Sequence, residues 1–316
     1  MNVGSLFDAA KDLGPRFTLV GLLPAGSLAL FVLALVWSGA PDSAPNLDRV
    51  VAEAESLGGW EATLLLLALI VATVVFQPLQ LSLVRLLEGY WGGSRVAQAL
   101  ASPLLERQRR RRDALERAQS VPGSAEELDA EQKARMDDAG WQLRRFYPAR
   151  DRLRPTGLGN TLRAAEDRAG ARYGLDAVTV WPRLYPLLPD GIRALLEDHR
   201  NGLDIAARFC VVFLIATGIG IGFLAPYGWW LLVPAVTLLL AWLSYRGAVA
   251  SAVGYGEAIE TAFDLHRFDL LQALHLPLPT SRAAEREANR QLSEFLGQGV
   301  PVDFAYQHGS SPEGSE

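Results

Sequence analysis

Cysteine is almost missing from this chain: Cys210 is the only one in 316 residues. An intrachain disulfide, a CxxC motif and a cysteine zinc site are thereby excluded. Cys210 stands inside an apolar run and reads as a small buried hydrophobe. Lysine is nearly as scarce, present only as Lys11 and Lys133, so the positive charge is almost all arginine. That bias is attributed to genome base composition rather than to function. Histidine is sparse, and His266 and His275 have Leu270 and Pro279 four positions on, neither a ligand type. Both are assigned to a surface or interface. Carboxylates adjoin a histidine only at Glu197-Asp198-His199, and consecutive helical residues point in different directions, so a solvated face is expected there. The run Gly157-Leu158-Gly159-Asn160 lacks the lysine of a phosphate-binding loop and reads as a turn. Nothing in the sequence points to a Ser–His–Asp triad, whose members need not be contiguous. No catalytic, metal or cofactor site is expected.

Charge is missing in a second, more informative way. Ile205 to Ala225 and Trp229 to Tyr245 carry no charge between Arg208 and Arg246, and only Pro226-Tyr227-Gly228 separates them. A soluble hairpin would show a polar stripe at helical spacing. Each run approaches the ~20 residues that cross a bilayer, so the pair reads as a membrane-spanning hairpin. Phe17 to Trp37 and Ala62 to Leu87 are two more apolar runs. The first is long for a signal core, and Pro41 would follow the cut after Ser38-Gly39-Ala40, so it reads as an uncleaved span. No Asp, Glu, Lys or His lies deep in any of the four, which counts against ion-coupled transport and proton relays.

What is abundant is arginine between the second and third runs, including Arg107, Arg109, Arg110, Arg111 and Arg112. The loop from Ser38 to Trp60 holds only Arg49, and the Pro226 turn holds none. By the positive-inside rule the middle region and both termini are cytoplasmic. The expected organisation is an all-α membrane protein with four transmembrane helices. A cytoplasmic N-terminus (1–16) precedes the first span (17–37), an extracytoplasmic loop (38–61) and the second span (62–87). A cytoplasmic helical domain (88–204) then leads to spans 205–225 and 229–246, followed by cytoplasmic helices and a disordered tail (247–316). Within the soluble parts, helices are expected over 96–119, 126–146, 158–173, 257–275 and 281–296, with the first two antiparallel. Gly174 is expected to stop the third. The proline-rich stretch Asp176 to Asp190 is expected to be irregular and to lie on the membrane surface or over the ends of the spans.

Three segments also carry a resemblance. They are Arg85-Leu-Leu-Glu-Gly-Tyr-Trp91, Pro155 to Asp167, and Tyr173-Gly-Leu-Asp176 with Trp181 to Pro189. Together the chain from about residue 60 to 275 resembles a family of uncharacterised multi-pass, arginine-rich bacterial membrane proteins of high-GC actinobacteria. The resemblance implies a plasma-membrane location and assigns no functional residue.

Two sets of residues remain as candidate contacts. The run Arg107 to Arg112 reads as a solvated helix face balanced by Glu106, Asp113 and Glu116, or as a contact for anionic headgroups or an acidic partner. Nucleic acid is not expected, because acids interleave and no stacking aromatics accompany the run. Gly218 and Gly222, four apart, and Gln77 and Gln80, beside Pro78, are candidates for close helix packing and interhelical hydrogen bonds. The function expected is a non-catalytic scaffold or signalling component in the lipid bilayer, acting on a protein partner or a second copy through its cytoplasmic helices. An oligomeric channel, or more remotely a membrane-bound hydrolase or transferase, is the alternative.

Overall fold

A computed structural model describes residues 23–92, 94–120 and 129–307. Side chains at Leu69, Ala72, Thr73 and Phe76 to Leu81 lie outside this description. So do the expected N-terminal segment, the first residues of the first span, the Pro122-Gly123 turn and the tail from His308. Among the described residues every regular element is helical. The helices are α1 (Leu23–Trp37), α2 (Leu47–Ser56), α3 (Gly59–Leu87), α4 (Arg95–Gln119), α5 (Ala130–Phe146), α6 (Gly157–Arg168), α7 (Ala177–Leu184), α8 (Asp190–Leu224), α9 (Leu232–Ala273) and α10 (Arg282–Gln298).

Polar caps set most of the starts. Asn46, Ser94, Asp129, Thr156, Asp176 and Ser281 each accept from a backbone N–H in the first turn of the helix that follows. Each such cap satisfies a donor that has no partner within the helix, typically worth ~1 kcal/mol. Asp129 and Gln132 form a reciprocal capping box.

The chain divides into two units, residues 1–91 with 201–251 and residues 92–200 with 252–316. In the first, α1 packs on α3, and α8 packs on α9 through small side chains. Ala207, Ala216, Ala241 and Ala248 are buried there, and Thr217 Oγ1 meets Thr237 Oγ1 at 2.8 Å. Between α8 and α9, the turn Ala225–Leu231 leaves helical geometry at Tyr227 and at Gly228 (φ 52°, ψ −102°). Tyr227 donates its hydroxyl to the Pro41 carbonyl, tying this turn to the chain after α1. Leu35, Ala40 and Leu224 are buried together beside it.

The second unit has an apolar core of another kind. Val180, Leu184, Leu188, Leu196, Phe263, Leu270 and Leu292 are all 2% exposed or less. Each such side chain withdrawn from water stabilises by ~1.5–3 kcal/mol. Helices α4 and α5 pair with each other in this unit. Gln119 lies beside Gly140 and Arg112 beside Pro148, so one number rises as the other falls and the pair is antiparallel.

Three expectations change here. The Asp176 to Asp190 stretch is helical, as α7 and the 3₁₀ turn Tyr185–Leu187, and its apolar side chains form the core of the second unit. Proline is tolerated because Pro186 sits at the start of the 3₁₀ turn and Pro189 precedes α8, leaving only Pro182 inside a helix. The helix begun near Leu158 stops at Arg168, because Gly170 adopts φ 71°, which favours glycine. Gly174 then ends a short 3₁₀ turn. The helix expected over 257–275 is not a separate element. Gly247, Ser251 and Gly254 do not interrupt α9, and a Cβ at Gly254 would lie 2.6 Å from the His199 ring.

Candidate contact sites

The arginine run lies along the middle of α4, and the helix divides it. Arg112 turns inward, with its side chain 15% exposed, donating to the Pro148 carbonyl at 3.2 Å and to Glu116. Gln108, one turn earlier, is buried on the same side. Arg110 is exposed and bonds Glu106 at 2.9 Å. Arg107, Arg109 and Arg111 are exposed and form no ion pair among the described residues. Pro103, Glu106, Arg107, Arg110, Arg111 and Ala114 line one shallow, open recess along the helix. Burial of the Tyr147 phenol raises its pKa, and the positive charge of Arg111 acts in the opposite sense. Arg150 bonds both Asp113 and Glu116, which further fixes the end of α5 against α4.

Sequence reading missed a second charged array, on α9. Glu257, Glu260 and Asp264 follow one another at i, i+3 and i+7, one helical face. Glu257 pairs with Arg145 of α5, Glu260 with Arg168 of α6 at 2.7 Å, and Asp264 with Arg172 at 3.7 Å. The Tyr173 hydroxyl also donates to Asp264, at 2.8 Å. Arg267, one turn on, bonds Glu285 of α10 at 2.7 Å while lying over the Tyr173 and Phe268 rings. The spacing of the three acids was the available signal; their distant arginine partners were not. Helices α6 and α9 approach closely at this array, where a Cβ on Gly256 would fall 2.6 Å from that of Ala165.

Asn160, in the run that superficially suggests a phosphate loop, is fully buried. It accepts from the Arg154 N–H and donates to the Arg154 carbonyl. Gly157 and Gly159 belong to the first turn of α6. Glu197 accepts from the Tyr185 hydroxyl at 3.3 Å, and the His199 ring rests on Gly254 rather than standing free. His266 meets Asp269 three positions on, at 2.6 Å, a partner that a search at i+4 passes over. No group of three or more metal-ligating side chains occurs among the described residues.

Gly218 and Gly222 are exposed, with nothing among the described residues within 4 Å of a Cβ built on either. Gly220, between them, is where a neighbour comes close, Pro234 at 3.3 Å and Phe31 at 3.6 Å. Gln77 and Gln80 belong to α3, and their side chains lie outside the description.

Among the described residues one helical stretch, Asp190–Ala273, is long and apolar enough to cross a membrane. Only 39% of its most apolar segment is buried. The stretch comprises α8 and α9 with the break at Tyr227 and Gly228. Leu23–Trp37 and the segment Gly59–Ala68 are apolar but shorter. Compared with family models, with curated proteins and with solved structures, the chain gives no match.

Proposed function

We propose that the chain is a multi-pass bacterial plasma-membrane protein that acts as a non-catalytic scaffold or signalling component. In this reading four helices span the bilayer, at 17–37, 62–87, 205–225 and 229–246. The termini and the arginine-rich region 88–204 then face the cytoplasm, where charged helices meet a protein partner or a second copy.

The observation that carries the membrane part is the exposure of α9. Val236, Leu238, Leu239, Trp242 and Leu243 are each about half exposed, between 49% and 54%, while Thr237 and Ala241 are buried. Water would penalise that arrangement by roughly 25 cal/mol for each Å² of apolar surface left out. Lipid does not, and helices in lipid associate through small residues and interhelical hydroxyl bonds. The α8–α9 turn breaks helical geometry where a hairpin needs it, and Trp229 and Trp230 stack at 4.3 Å beside it, where interfacial aromatics belong. The scaffold part rests on the second unit, which has an apolar core and charged helix faces suited to water.

Crosslinking and affinity capture of the full chain from membranes test the scaffold reading. A discrete homo-oligomer or a reproducible partner that binds the second unit is expected. Monomer alone, together with ion flux through liposomes carrying the purified protein, would replace it with a pore.

A further inference from the structure

We infer that α4 lies along the membrane surface and uses one face of its helix to bind anionic phospholipid headgroups. At about 100° per residue, Val96, Leu100, Pro103, Arg107, Arg110, Arg111 and Ala114 fall within a sector about 100° wide. All seven are exposed, Val96 at 71% and Leu100 at 59%. The opposite side, with Leu105, Gln108 and Arg112, is the one that meets α5 and the chain after it. The open stripe thus begins apolar and ends basic, and no carboxylate falls inside it. Glu106, bonded to Arg110, stands at its edge.

That combination selects the occupant. Water alone gives no reason for exposed Val96 and Leu100 in line with three arginines. An acidic protein surface would satisfy the arginines and leave the apolar half unexplained. An anionic bilayer surface meets both, since apolar side chains enter the headgroup boundary while arginines pair with phosphates. The tether agrees. Helix α4 starts eight residues after α3 ends, and eight residues span at most ~29 Å, so a membrane-embedded α3 holds Arg95 near the bilayer.

The inference rests on the membrane reading proposed above, and its test separates the two. In a Cys210→Ala background, Ala114→Cys carries an environment-sensitive fluorophore on the stripe and leaves Val96, Leu100 and the three arginines in place. The full chain is reconstituted into phosphatidylcholine vesicles with and without phosphatidylglycerol. We expect blue-shifted emission and protection from aqueous iodide only with phosphatidylglycerol, both weakened at high salt. Arg107→Gln/Arg111→Gln should abolish the shift. Arg109→Gln/Arg135→Gln, which removes equal charge from exposed positions off the stripe, should leave it in place. Protein that inserts but gives the same emission in both vesicles, or a shift that survives Arg107→Gln/Arg111→Gln, overturns the inference and leaves the membrane reading standing. Protein that fails to float with vesicles of either composition overturns both.

Discussion

Helix α9 passes through both units, and its two parts bury different side chains. Near its start, Leu238, Leu239, Leu240 and Leu243 face outward, and Thr237, Ala241 and Ala248 are buried. Toward its end, Phe263, Leu270 and Leu271 are buried, and Glu257, Glu260 and Asp264 carry the outer charges that bind neighbouring arginines. Among the described residues, eight of the eleven largest fully buried side chains belong to the second unit. On the membrane reading proposed above, the two parts of this helix face two solvents. Where water is the solvent, large apolar groups go inside. Where hydrocarbon is the solvent, burying leucine gains nothing over leaving it outside, and close contact through small residues decides the packing.

The contrast can be broken by mutation, beginning where the effect is largest. Phe263→Ala should cost the second unit ~3–5 kcal/mol, as truncation of a fully buried aromatic does, read as a lower denaturant midpoint for that unit. Next comes a matched pair on the same helix. Leu239→Arg should reduce membrane insertion by ~2.5–3.5 kcal/mol, the cost of arginine at the centre of a span. Leu265→Arg, at a residue 61% exposed in the second unit, should change stability by no more than ~0.5 kcal/mol. Equal effects at the two sites would erase the distinction. Thr217→Val deletes the buried bond to Thr237 and should loosen α8 from α9 by ~0.6 kcal/mol, the average for an interhelical bond in lipid, measured by steric trapping or detergent unfolding.

The smallest effect is one of pH. Burial, then the Asp264 carboxylate, raise the pKa of Tyr173, against the opposing charges of Arg267 and Arg172. A raised phenol pKa favours the folded state while the phenol is neutral. That contribution is complete below the ordinary value near ~10 and is lost as pH rises through the folded value. Tyr173→Phe should therefore flatten the alkaline fall in stability of the second unit. The part due to Tyr147, raised by its own burial, should remain.

Much of this fold was legible because helices announce themselves locally. The helices expected over 96–119, 126–146 and 281–296 stand as α4, α5 and α10, with α5 described from Ala130, and Tyr227-Gly228 marks the break between the two long apolar helices. What misled was punctuation read without its surroundings. Three prolines near 182–189 suggested irregular chain, although each position either needs no N–H or tolerates its loss within a single turn. Gly170, not Gly174, stops α6, a choice set by left-handed geometry packed against Leu175 and Phe263. The arginine run was visible as composition. That Arg112 would turn inward while Arg107 and Arg111 stay open depends on where α5 lies, which spacing in α4 alone does not carry. Likewise the acids at Glu257, Glu260 and Asp264 showed a face, but their partners come from residues about 90 to 110 positions away.

The account depends most on which solvent surrounds the outward leucines of α9. Spin labels at Leu239→Cys and Leu265→Cys, each in the Cys210→Ala full chain in lipid vesicles, report it through collision with oxygen, which concentrates in hydrocarbon, and with a water-soluble nickel chelate. The account predicts oxygen-dominated relaxation at position 239 and chelate-dominated relaxation at position 265. Strong relaxation by the chelate at both positions would contradict it.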